Sequence, residues 1–157
     1  ALGGYGIVSV AAHLIGRQGG RLLPGVEDLL AGLQALPHPP VLGLLTGNIR
    51  LGAEIKLRHY NLWHHFVVGA FGDDHEDRNR LSAIARERAA RHLGEEPSSS
   101  QILVVGDTPH DIACARAIGA PCLAVATGGA TMDELRVHAP EWLVEDLRQV
   151  RAEELCA

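Results

Sequence analysis

An apolar run at 102–105 ends abruptly in Gly106-Asp107, and a second carboxylate, Asp111, follows just beyond Pro109. That pattern reads as a buried strand delivering a carboxylate to its exposed carboxyl end, with a helix starting at once behind it. In open α/β sheets, ligands bind outside the carboxyl ends of the strands. Two acidic side chains at one such tip are costly unless a cation or a proton lies between them. This feature constrains both the fold and the chemistry, and the rest of the chain is read around it.

Other stretches supply the same unit repeatedly. Pro24 suits the first turn of a helix over 24–36, with Glu27 and Asp28 at its positive end, and the Pro37-His38-Pro39-Pro40 run stops it. Residues 41–45 read as a buried parallel strand ending in Thr46-Gly47-Asn48. A helix is expected over 49–60, a strand over 66–70, an acidic loop over 72–77 and a helix over 80–93 closed by Gly94. After the strand at 102–105, a helix over 111–118, a strand over 121–126 leading into Thr127-Gly128-Gly129, a short helix over 132–138 and an edge strand over 142–144 complete the series. Strands alternating with helices predict an α/β fold: a doubly wound, mostly parallel, Rossmann-like sheet flanked by helices. Such a sheet brings the tips Thr46-Gly47-Asn48, Asp107 with Asp111, and Thr127-Gly128-Gly129 to one edge. A Thr hydroxyl and the backbone N–H groups behind Gly47 suit phosphoryl oxygens, a carboxylate suits Mg²⁺, and an Arg suits the remaining negative charge.

Composition narrows the field. With 157 residues and 46% hydrophobic content, the chain suits one domain with a real core. A formal charge of −5 argues against a broad nucleic-acid face. No apolar run approaches the ~18 residues of a membrane span. Cys114, Cys122 and Cys156 are scattered without metal spacing, which fits reduced thiols and a cytoplasmic location. His59, His64, His65 and His75 are not at zinc-ligand spacing.

The ordered motifs resemble the haloacid dehalogenase (HAD) superfamily, nearest its phosphoglycolate phosphatase-like hydrolases. Leu44-Leu45-Thr46-Gly47-Asn48 resembles the second motif of that family and Val104-Val105-Gly106-Asp107-Thr108-Pro109-His110-Asp111 the fourth. Leu23-Pro24-Gly25-Val26-Glu27-Asp28-Leu29-Leu30 resembles the return from cap to core, and Ala124-Val125-Ala126-Thr127-Gly128-Gly129 the strand and loop after the fourth motif. The resemblance implies that Thr46, with Gly47 and Asn48, binds the transferring phosphoryl group. It implies that Asp107 ligates Mg²⁺, that Asp111 supports the metal site, and that a basic residue completes the set. Arg78 is the first choice for that residue and Arg80 the second. The implied activity is Mg²⁺-dependent hydrolysis of a small phosphorylated metabolite through an aspartyl-phosphate.

One departure from the family is large. Its first motif, Asp-x-Asp-x-Thr/Val, is absent, and no Asp or Glu precedes Glu27. The sequence therefore reads as the C-terminal portion of such an enzyme, with no initiator Met and an expected continuation upstream. Residues 1–20, where Tyr5, Val8, Ala12 and Ile15 fall at helical spacing, read as a remnant of a helical cap or a linker, and 21–157 as an incomplete core domain. The family's central strand, between those at 41–45 and 102–105, is then expected to be missing, leaving two sheet edges open to a partner strand or a second copy. The alternative function is a non-catalytic binding or assembly module of the same fold. A phosphoacceptor receiver domain ranks lower, because Lys56, the single Lys, falls in a helix.

Overall fold

The computed structural model describes residues 6–11 and 21–156. In chain order the elements are β1 (Ile7–Ala11), α1 (Val26–Gln34), β2 (Val41–Leu45), α2 (Arg50–His59), β3 (Val68–Ala70), α3 (Arg78–Leu93), β4 (Ile102–Gly106), α4 (Pro109–Ala117), β5 (Cys122–Val125), α5 (Met132–Arg136), β6 (Trp142–Val144) and α6 (Ala152–Cys156). The strands form one six-stranded sheet in the order β3-β2-β1-β4-β5-β6. Every neighbouring pair is parallel. Helices cover both faces, as the alternating pattern predicts.

The central position is filled, which corrects the expectation of a missing strand. β1 lies between β2 and β4, with Ser9 paired to Gly43 on one side and to Val104 on the other. Residues 7–11 are therefore a strand and part of the core sheet, not a helical cap remnant. Neither β2 nor β4 has an open central edge; the outer edges belong to β3 and β6. The rest of the helical stripe, Tyr5, Ala12 and Ile15, lies outside the described residues. The physical reason for the strand is burial. Val8 and Val10 sit in the core, and each contributes about 2 kcal/mol on burial. Helix propensities among Ser, Val and Ala differ by only a few tenths of a kcal/mol.

Strand alternation divides the core in two. Val8, Val10, Leu42, Leu44, Leu103, Val105, Leu123 and Val125 face α1, α6 and Leu57 of α2. Ile7, Leu45, Ile102, Val104, Cys122 and Ala124 face α3, α4 and Leu135 of α5. Against that second face, a cavity of about 20 Å³ lies between β1, β2 and α3, lined by Ser9, Gly43, Ser82, Ala85 and Ala89 among others. Small side chains on both the sheet and the helix leave it unfilled. Ser9 is buried there, and its hydroxyl has no hydrogen-bond partner among the described residues.

Element boundaries shift modestly from the sequence reading. The strand expected over 66–70 is shortened to Val68–Ala70 because Trp63–His65 form a 3₁₀ turn. The helix behind Asp107 starts at Pro109 rather than Asp111, because Thr108 caps it and Pro109 suits a first turn. α3 starts at Arg78 rather than Arg80, with Asp77 as its cap. No helix among the described residues is long and apolar enough to cross a membrane.

Candidate phosphoryl and metal site

Parallel pairing puts the carboxyl ends of β2 and β4 on the same edge, one on each side of β1. Thr46 and Asp107 directly follow those strands, and both are fully buried. β1 ends at Ala11 in register with Leu45, one residue before Thr46. Its residues, Ile-Val-Ser-Val-Ala, carry no carboxylate.

Thr46 shapes its own turn. Its hydroxyl accepts a hydrogen bond from the Asn48 N–H at 3.0 Å, which tightens the Thr46-Gly47-Asn48 loop. Gly47 and Asn48 are exposed. Arg78 lies beside that loop: a Cβ built on Gly47 would sit 3.7 Å from its Cδ and Nε. The same guanidinium donates from Nη2 to Asp111 Oδ1 at 3.3 Å. Arg80 is exposed, and it is Arg78 that bonds Asp111. Of the two cations weighed from the sequence, Arg78 is the one beside the Thr46 loop.

Asp111 is fully buried and engaged on both oxygens. Its Oδ2 accepts from the Asp107 N–H and the Thr108 N–H at 3.0 Å each, and from the Thr108 hydroxyl at 2.8 Å. With the Asp111 N–H donating back to Thr108 Oγ1, this is a capping box at the start of α4. Asp111 therefore anchors the strand-to-helix turn and orients Arg78. Asp107 differs: it is the strand-tip carboxylate itself, with the Thr127-Gly128-Gly129 loop packed onto it. A Cβ on Gly128 would fall 1.4 Å from Asp107 Oδ2. A Cβ on Gly106 would fall 2.2 Å from Asp111 Cβ. Only glycine permits either approach.

Two further residues help form the site, one of them from the third strand tip that the sequence already places at this edge. Gly128 is the wall against Asp107; its signal in the sequence was a glycine pair at a neighbouring strand tip. Cys114 donates from Sγ to the Arg78 carbonyl at 3.2 Å, tying the start of α3 to α4. Burial pushes its thiol up to about 11, so it stays protonated near neutral pH and serves packing. No sequence signal marked that contact.

The donor chemistry bears on a metal. Among the described residues, no group of three or more His, Cys, Asp or Glu side chains is placed to hold an ion. Asp107 fits a hard cation as a single carboxylate, a mode in which Mg²⁺ commonly keeps waters and substrate phosphate as its other ligands. Asp111, held by four donors, fits a supporting part.

An open parallel sheet with a Thr-Gly-Asn loop, a guanidinium and a buried carboxylate at one edge belongs to the class of α/β folds whose sites sit at strand tips. The comparisons with known proteins agree. The HAD-hydrolase-like family model matches residues 79–150. The chain is 32% identical over 127 residues to a phosphoglycolate phosphatase of Synechococcus elongatus, covering 80% of this chain and 55% of that protein. It is 29% identical over 133 residues to a 5'-nucleotidase of Pseudomonas aeruginosa, covering 83% and 57%. A haloacid dehalogenase-like family protein of Streptococcus pneumoniae superposes with a TM-score of 0.68 at 19% identity, covering 82% of this chain and 57% of that one. The chain belongs to the HAD-like hydrolase superfamily. It spans about half the length of the curated relatives it matches.

Proposed function

We propose that this site binds the phosphoryl group of a small phosphate monoester, as part of a Mg²⁺-dependent phosphatase of the phosphoglycolate phosphatase-like kind. The observation that carries the reading is the convergence of the Thr46 loop, the Arg78 guanidinium and the Asp107/Asp111 turn at one sheet edge. The Thr46 hydroxyl and the N–H groups of Gly47 and Asn48 are suited to phosphoryl oxygens, and Arg78 to the charge on them. Asp107 would hold Mg²⁺, which supplies charge neutralisation to a phosphoryl group when bound. Asp111 keeps Arg78 aimed at the loop. The names of the two curated relatives, a phosphoglycolate phosphatase and a 5'-nucleotidase, support a phosphorylated small-molecule substrate.

β1 carries no nucleophilic carboxylate, so binding by this chain is the direct test. Titration with inorganic phosphate, followed by amide NMR, is expected to shift Thr46, Gly47 and Asn48, with tighter binding when Mg²⁺ is present. Phosphate shifts confined to other residues, or indifference to Asp107→Asn, would overturn the reading. The assembly-module alternative keeps one of its two grounds: the central edges are both paired, while the first motif is still absent from β1.

A further inference from the structure

The acidic loop between β3 and α3 is tied at three places. The Gly72 N–H donates to the Asn48 carbonyl at 2.7 Å, which joins the loop to the Thr46 turn. Asp73 Oδ1 accepts from the Arg50 N–H at 3.0 Å, joining it to the start of α2. Asp74 Oδ2 accepts from the Phe71 N–H at 2.8 Å. Asp74 is then gripped by Arg88 from the middle of α3: Nη1 donates to Oδ2 and Nη2 to Oδ1, both at 2.7 Å. Nη1 also donates to the Gly69 carbonyl at 2.7 Å. At the far end of the loop, Asp77 caps α3 and Arg78 follows directly.

We propose that Asp74 and Arg88 are a positioning pair for the oxygen-binding site, holding the 71–77 loop so that the Thr46 turn and Arg78 keep their separation. This rests on the reading that Thr46 and Arg78 receive phosphoryl oxygens. The side chains are 22% and 38% exposed, and ion pairs of that kind add little to stability. Their geometry does more than their energy. A bidentate fork fixes orientation as well as distance, and it links α3 to a loop that also bonds the Thr46 turn through Gly72 and the start of α2 through Asp73. Buried Phe71 anchors only the start of the loop; from Gly72 to Asp77 no apolar side chain follows to hold the rest.

The test uses the whole 157-residue chain and inorganic phosphate, with and without Mg²⁺. Asp74→Asn and Arg88→Lys are expected to weaken phosphate binding about tenfold, while the melting temperature stays within about 4 °C of the parent. Asp74→Asn keeps an acceptor for Phe71, and Arg88→Lys keeps a charge without the fork. If Asp74→Asn does not fold, Arg88→Lys carries the same comparison. A lowered melting temperature with unchanged phosphate affinity would make the pair merely structural and overturn the proposal. If the parent chain itself binds no phosphate, the phosphoryl reading fails separately. The positioning role of the pair is then decided by the Asn48, Arg50 and Gly72 amide resonances of Asp74→Asn without ligand: shifts support it, and unmoved resonances overturn it.

Discussion

Arg78 and Asp111 lie 33 residues apart in sequence and meet at 3.3 Å, joining the start of α3 to the start of α4. Asp111 has no solvent exposure, whereas the Arg78 side chain retains 27%. The pair therefore has one partner that cannot be rehydrated cheaply. Its carboxylate also closes the turn that presents Asp107, so orienting the Arg78 guanidinium and presenting the strand-tip carboxylate are one structural task.

Asp111→Ala should be among the most damaging substitutions. It removes the acceptor of three donors around Oδ2 and the partner of Arg78. A loss of about 2–4 kcal/mol is expected, the sum of a lost cap and unsatisfied buried donors. Urea unfolding measures it. Asp111→Asn should lose less stability while still weakening phosphate binding, because one oxygen remains to accept.

Gly128→Ala should act on Asp107. The added methyl would fall inside the carboxylate's own volume, so either the loop or Asp107 must move. Overpacking of this kind costs about 1–3 kcal/mol. Mg²⁺-dependent phosphate binding is expected to fall sharply, whereas the neighbouring Gly129→Ala, with nothing within 4 Å of its Cβ, should show strain without contact at Asp107. Isothermal titration with and without Mg²⁺ separates the two.

Ser9→Val should stabilise the chain. Among the described residues the buried serine hydroxyl has no partner, and it lies beside a cavity of about 20 Å³. Replacing it with an apolar, β-branched group removes a desolvation cost and fills space, for an expected gain of about 1 kcal/mol. The denaturation midpoint reports the change, and a loss of stability would show that the cavity does not accept the methyl groups.

Asp74 should contribute an acid-sensitive part of the stability. The Arg88 hydrogen bonds, followed by the Phe71 N–H and the Arg88 and Arg50 charges, hold its carboxyl below the ordinary range, against an opposing effect of burial. With the folded value below the unfolded one, the native state favours the ionised form. The contribution is present above the unfolded carboxylate value, about 3.9, and is lost as pH falls through the folded value. Melting temperatures measured from neutral pH downward should drop more steeply in the parent than in Asp74→Asn.

Legibility followed the range of the interaction. The tips at Thr46 and Asp107 were visible because a buried strand, a glycine and a polar residue are adjacent in sequence. The choice between Arg78 and Arg80 was not: two positions on a helix point about 200° apart, and which one faces the sheet edge depends on how α3 packs. Asp74 was visible as part of an acidic run, but its partner, Arg88, lies 14 residues further on in α3 and could not be read from the run itself. The segment at 7–11 was misread because five residues do not distinguish a strand from a helix by period alone.

By itself, the order of residues determined the alternation of strands and helices and the small set of polar groups at strand ends. Those are local properties, written in spacing and side-chain type. Only the folded chain decided that Ile7–Ala11 enters the middle of the sheet, where Ile7 pairs with Ile102, and that Asp111 is bound from four directions. Both outcomes follow from buried groups finding distant partners, because an unpaired strand edge or carboxylate in the interior costs more than any local preference can repay.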